Sequence, residues 1–243
     1  MFAGASTEPN GIPISQGSPT SFVLHRQQSR FIYLHLQVTS SLVRVHVLTS
    51  TKMKLPYVSN PPQTNSPEED AIVKRVQERR APRPLQALDL TLLHSPPVAD
   101  GWNSFLGAIR TKTSLSDDIR ELAISRVAVC NQAWYEWHHH APLAVEGGVS
   151  QEALEVVKQD ELGTDRPESL DERQWGVLKY TDEMTRNVQV KDETFNKLKE
   201  LFNNQEVVEI TATVAAYNCV SRFLVALDVG ERNGTGPEDV TAH

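Results

Sequence analysis

Cysteine is nearly absent from this chain: 243 residues contain two, Cys130 and Cys219. Both lie in apolar stretches, where a cysteine is a small buried hydrophobe rather than half of a disulfide framework. An intracellular, reducing compartment is therefore expected, the cytoplasm first among them. Clusters of Lys and Arg interleaved with aromatics are also missing, and the formal net charge is −7 with a pI near 5.6. A surface that tracks phosphates is not expected, and so no nucleic-acid partner. No apolar run reaches the roughly 18 to 20 residues of a spanning helix, and the start lacks a charged segment followed by an apolar core. A soluble protein with no membrane partner is expected. After residue 65 no segment alternates apolar and polar with a period of two, which argues against a sheet.

What is present divides into three parts. Residues 1–65 are rich in Ser, Thr, Pro and Gly and then turn to β-type sequence, FIYLHLQV and SLVRVHVL, between Phe31 and Leu48. They carry Arg26, Arg30, Arg44, Lys52 and Lys54 against Glu8 alone. This part reads as a disordered or irregular N-terminal extension. An organelle transit peptide is the alternative, although early Pro and Gly residues spoil an amphipathic helix. Met53 is a plausible second start of translation. Residues 66–230 form the domain, and residues 231–243 read as a flexible tail.

The domain is all-α. Ser66 as N-cap, Pro67 at the first helical position and Glu69 closing a capping box predict a helix to about Arg79. Pro82 and Pro84 end it. Helices follow over Leu85–Leu93, Pro97–Arg110, Ser116–Cys130, Ala133–Glu146 and Ser150–Gln159. Ser169 with Glu172 is a second capping box, before a helix to about Asn187; then come Asp192–Phe202 and a last helix that Asn203 and Glu206 cap, reaching about Val229.

Two arginines stand out. Within LAISRVAVC, Arg126 is the single charge, on the stripe Ile119, Leu122, Ala123, Arg126, Val127, Cys130. Between Glu209 and Asp228 the single charge is Arg222, with Asn218 one turn earlier on its face. A buried charge is costly unless paired, so each arginine should meet a carboxylate of the protein or an anionic ligand. For Arg126 the structural alternative is an ion pair with Glu121 or Glu136.

The stretch RELAISRVAVCNQAWYEWHHHAP, from Arg120 to Pro142, concentrates titratable groups. Ala133, Glu136 and His140 share a helix face, so His140 can bond Glu136 or a carboxylate of the preceding helix, which orients an imidazole for proton transfer. His138, His139 and His140 point about 100° apart and cannot chelate one ion together, so no metal is expected.

At these residues the chain resembles the carboxymuconolactone decarboxylase family of the alkylhydroperoxidase D-like superfamily. RELAISRVA, YEWHHHAPLAVEGGVS and YNCVSRFLVALDV are similar to three characteristic blocks of that family, in the right order. The resemblance implies an alkylhydroperoxidase D-like helical bundle, in a homo-oligomer, trimer or hexamer. In the redox branch a glutamate precedes a Cys-x-x-Cys pair, with a histidine one turn on. Aligning Glu121 and His140 with that pattern sets Ala133 and Glu136 where the two cysteines belong. A thiolate attacks peroxide and a second thiol resolves the product, so disulfide-cycling peroxidase chemistry is not expected.

The non-redox branch remains: a cofactor-independent decarboxylase-like lyase acting on a small carboxylated lactone or cyclic, aromatic-derived acid, in aromatic catabolism or secondary-metabolite biosynthesis. On this reading Glu121, Glu136 and His140 are catalytic, and Arg126, His139, Asn218 and Arg222 bind substrate. A proton-transfer isomerase, cyclase or dehydratase is one alternative. A non-catalytic oligomer that binds a small acid is another.

Overall fold

The computed structural model describes residues 53–238, and all its regular structure is helical. The β-type and low-complexity stretches of residues 1–52, with the expectation of a disordered extension, lie outside the described residues. Nine α-helices follow in order: α1 Pro67–Arg80, α2 Ala87–Leu92, α3 Pro96–Thr111, α4 Asp117–Cys130, α5 Trp134–Glu146, α6 Gln151–Val157, α7 Glu172–Asn187, α8 Asp192–Leu201 and α9 Asn204–Leu227. A single 3-10 turn, Val229–Glu231, follows α9.

Capping chemistry sets many of these boundaries. The Ser66 hydroxyl accepts the Glu69 amide at 3.2 Å, but the Glu69 carboxylate reaches back to the Asn65 amide, one residue beyond a standard box. Asn203 and Glu206 form a reciprocal box at the start of α9. The box of α7 is Asp171 with Gln174, not Ser169 with Glu172: an aspartate accepts the orphan amide as well as a serine and stands directly before the apolar face.

Helix α4 is the axis of the domain, packed against α5, α7 and α9. Leu122, Ile124, Val127 and Ala128 are fully buried there, which explains the apolar run from Leu122 to Cys130 that only Ser125 and Arg126 interrupt. One core joins α4 to α3, α8 and α9 through Ile109, Ile124, Leu198, Ile210 and Tyr217. A second joins α4 to α5, α6 and α7 through Leu122, Trp137, Ala153, Val157 and Leu178.

Helix α9 ends at Leu227, two residues before the end that the sequence suggests, and is more apolar than the sequence reading allowed. Its 24 residues have a mean hydropathy of 1.4 over 18 residues, enough by length and composition for a membrane span. Val207, Ile210, Val214, Tyr217 and Leu224 instead face the protein core, and a core helix meets the same test.

Residues on both sides of 66–230 also pack on the helices. Met53 is buried, the Lys54 amide donates to the Leu227 carbonyl at 3.0 Å, and the Val58 amide donates to Leu90 at 3.2 Å. Residues 53–65 thus lie on the helices. After α9, Asp228 takes up a left-handed conformation and its carboxylate accepts the Asn233 amide at 2.8 Å, while the Trp137 indole donates to the Pro237 carbonyl at 3.1 Å. Residues 231–238 are accordingly tied down. A tail that satisfies the polar edge of a buried tryptophan has a packing role.

Candidate active site

A cavity of about 250 Å³ opens where α1, α2, α3, α4, α5 and α9 converge. Its walls include Glu121 from α4, Tyr135, Glu136, His139 and His140 from α5, and Val220 and Leu224 from α9. Helical spacing explains α5: offsets of three and four residues stack Glu136, His139, His140 and Leu143 along one side.

At the centre His140 Nδ1 lies 2.6 Å from Glu121 Oε2, with both side chains buried. Burial works to raise the Glu121 carboxyl, but the hydrogen bonds and charges of His140 and Arg120 overcome it and hold Glu121 below the usual carboxylate range. Burial drives the His140 imidazolium the other way, below the ordinary histidine value, against the pull of Glu121. We take the pair as carboxylate and neutral imidazole. A carboxylate only accepts, so Nδ1 carries the proton and Nε2 has the lone pair left to serve a substrate.

Glu136 is the opposite case. It is 2 % exposed, and burial pushes its carboxyl well above the ordinary glutamate value, only partly offset by the Ser221 hydroxyl and the charge of Arg110. The hydroxyl sits 3.0 and 3.1 Å from the two carboxyl oxygens. Burial thus favours the uncharged form of both His140 and Glu136 on one cavity, an arrangement that divides the roles of base and acid.

The cavity is also cationic. Arg80, Arg83, Arg110 and Arg120 line it, in a chain whose formal net charge is −7. Arg120 is held by Asp117 at 2.6 Å and Glu121 at 3.2 Å. Arg80 meets the buried Asp89 at 2.7 Å. Arg110 differs: its Nε donates to the Tyr217 hydroxyl at 2.6 Å, and no carboxylate pairs it among the described residues. Burial pushes the Tyr217 phenol up to about 12 despite that contact, so Tyr217 stays neutral and leaves the Arg110 charge unspent.

Glu121, Glu136, His139 and His140 thus meet as the sequence suggested. The His139 ring stacks on Tyr135 at 4.4 Å and its Nδ1 lies 2.8 Å from the Tyr135 carbonyl, which makes it part of the wall. Arg126, Asn218 and Arg222 do not join them. Arg126 is fully buried and pairs with Asp182 rather than Glu121 or Glu136, and its other nitrogens donate to the carbonyls of Val157, Gln159 and Asp160. Five residues of helix separate Glu121 from Arg126, a turn of about 140° away from the cavity. Arg222 is exposed and bonded to Asn218 at 2.6 Å. It stands two residues from both Val220 and Leu224, roughly 160 to 200° round α9 from the wall they form.

The arginines that do line the cavity were missed. Each lies at a helix end or in the proline-flanked link after α1, where sequence reading takes a cation for a solvated cap. One signal was available: Arg120 directly precedes Glu121 within the motif itself.

Residues 96–162, spanning α3 to the loop after α6, match the model of the carboxymuconolactone decarboxylase family. Over this segment the chain is similar to that family. The matched segment contains Arg110, Arg120, Glu121, Glu136, His139 and His140, so most of the site lies within it. Solved structures share the fold. The alkylhydroperoxidase AhpD core of a peroxidase-related protein from Ralstonia eutropha JMP134 aligns with a TM-score of 0.60 at 20% identity, covering 73% of this chain and 90% of that one. The debrominase Bmp8, solved with 2,3,4-tribromopyrrole, aligns with a TM-score of 0.59 at 14% identity, covering 74% and 92%. A peroxidase-related protein from Silicibacter sp. TM1040 aligns with a TM-score of 0.58 at 17% identity, covering 74% and 94%. No curated protein matches the chain. The architecture is the alkylhydroperoxidase D-like helical fold. Cys130 and Cys219 do not line the cavity, and burial pushes the Cys130 thiol up to about 11, away from the thiolate.

Proposed function

We propose that the protein is a cofactor-independent, decarboxylase-like enzyme acting on a small carboxylated lactone or cyclic acid. One observation carries the reading: a buried Glu121–His140 pair and the buried carboxyl of Glu136, held by Ser221, share a cavity with the half-buried Arg110, which no carboxylate pairs among the described residues. Arg110 takes the substrate's carboxylate or the oxygen that becomes negative, in a site where removal from water strengthens the interaction. The carbon–carboxylate bond breaks, CO₂ leaves, and the electron pair remaining on carbon is delocalised onto an adjacent carbonyl oxygen facing Arg110. Glu136 then gives its proton to carbon, and solvent restores it before the next turnover. His140, oriented by Glu121, removes a substrate proton at Nε2 where the reaction needs one before or after CO₂ loss.

The same acid and base would move a proton without loss of CO₂, as in an isomerase, cyclase or dehydratase. Thiol chemistry of the kind a debrominase or peroxidase name suggests finds no thiol on the cavity wall. A cytoplasmic location and assembly into trimers or hexamers fit the reading. The test is to identify the compound that accumulates in cells lacking the protein and supply it to purified enzyme. CO₂ release by the parent, lost in His140→Ala and Glu136→Gln variants that remain folded, is the expected result. Accumulation of an uncarboxylated isomer would favour the proton-transfer alternative, and undiminished turnover by both variants would overturn the assignment.

A further inference from the structure

The link between α1 and α2, residues 81–86, forms one lip of the cavity. Arg83 and Gln86 line the cavity from this link, and Arg83 is exposed, which puts it at the mouth. Leu143 of α5, also exposed, lines the same cavity.

The lip is built rather than loose. Asp89, 2 % exposed, ties both of its ends: its carboxylate takes Arg80 Nη2 at 2.9 Å on one side and the Gln86 amide at 2.9 Å on the other. Between these anchors the Arg83 amide donates to the Arg80 carbonyl at 2.9 Å, closing a turn. Pro82 and Pro84 flank Arg83 and fix φ on either side. No ion pair or hydrogen bond holds the Arg83 side chain among the described residues.

Among the described residues, two guanidinium groups of the cavity therefore have no carboxylate partner, and they lie at different depths. Arg80 and Arg120 are neutralised by Asp89, Asp117 and Glu121. Arg110, inside, has a tyrosine as its partner, and Arg83, at the mouth, has none among the described residues. A monoanion satisfies one of them. We propose that Arg83 is a specificity-determining residue that holds a second anionic group of the substrate at the mouth, so that the enzyme selects dianions with an apolar body between their charges. This rests on Arg110 binding the first carboxylate, one of the two roles that the proposed function gives it.

The experiment separates the two ideas. Affinities of the full chain for benzoate and for the 1,2-, 1,3- and 1,4-benzenedicarboxylates are measured by calorimetry, in the parent and in Arg83→Ala, Arg83→Lys and Arg110→Gln. Occupancy of the cavity is read independently from movement of the His140 ring resonances. At least one dicarboxylate should bind the parent more tightly than benzoate. Arg83→Ala should cut that preference, the ratio of the two affinities, by about five- to tenfold, the range for a partly exposed charge-assisted contact. Arg83→Lys should restore part of it. If benzoate shifts His140 and Arg110→Gln weakens it, but the preference is absent or survives Arg83→Ala, the role of Arg83 is refuted while the cavity reading stands. If no carboxylate moves His140, both fail.

Discussion

Replacing Arg126 by methionine should cost stability and leave ligand binding alone, the reverse of what its place in an apolar helix first suggested. Arg126 is the largest fully buried side chain, and its guanidinium joins Asp182 of α7 to the loop after α6. It donates at 2.7 Å to the Val157 carbonyl, left open by the end of α6, at 2.5 Å to Gln159, and at 3.2 Å to Asp160, whose carbonyl Arg186 also reaches. Methionine keeps much of the apolar stem but has no donor. Removing one partner of a buried ion pair costs about 3–5 kcal/mol. Asp182 retains Arg186 at 3.0 Å and is 18% exposed at its side chain, which places the loss towards the lower end. For a domain of this size about 3 kcal/mol lowers Tm by roughly 6–12 °C.

Acid dependence supplies a second readout. Burial acts to raise the Asp182 carboxyl, but hydrogen bonds from Arg126 and Arg186 prevail and hold it below its ordinary value. A depressed folded pKa contributes stability that is present above the unfolded value and lost as pH falls through the folded one. The parent should therefore lose stability below about pH 4, and Arg126→Met should lose less over that range. Thermal and denaturant unfolding with pH measure the first effect, and benzoate affinity at low temperature the second. An unchanged Tm with lost benzoate binding would refute the structural assignment.

Further outcomes follow from the site and its walls. Glu136 has a raised folded pKa, so its contribution to stability is full below the unfolded value and is lost as pH rises through the folded one. Glu136→Gln should therefore unfold at higher temperature than the parent in alkaline solution while losing turnover, and a parallel fall in both would contradict a neutral Glu136. Gly230 has a φ of +74° and a Cβ there would lie 2.3 Å from the Tyr135 ring, so Gly230→Ala should cost about 1–3 kcal/mol and weaken benzoate binding by displacing that wall. Measured unfolding free energies within about 0.5 kcal/mol of the parent would refute the contact. A Cys130→Ala/Cys219→Ala double variant should keep its turnover, whereas a thiol-dependent peroxide reduction lost in that variant would revive a redox role.

The helices were legible because local chemistry set them. Asn203 with Glu206, Pro67 after Ser66 and the apolar stripe of α4 give the same answer in sequence and structure. Glu121, Glu136 and His140 could be brought together because i, i+3 and i+4 spacing fixes two of them on one face, and the third needs only a neighbouring helix. The cations could not be sorted this way. An arginine alone in an apolar helix draws the eye, yet burying it demands a protein partner, and Arg126 has one in Asp182, 56 residues away. Arg83 and Arg110 look ordinary because their importance comes from the convergence of separate helices. The packing before α1 was also hidden: nothing local in Met53 or Tyr57 says that they pack on α2 and the turn after α9.

The central claim is that Glu136 is a carboxylic acid at neutral pH beside a neutral His140 whose Nδ1 proton is held by Glu121. Difference infrared spectroscopy of the parent against Glu136→Gln, with the His140 nitrogens followed by NMR, tests it directly. The account predicts a protonated carboxyl band at pH 7 that the variant lacks, together with a neutral imidazole protonated at Nδ1. A carboxylate band for Glu136, or an imidazolium at His140, would contradict it.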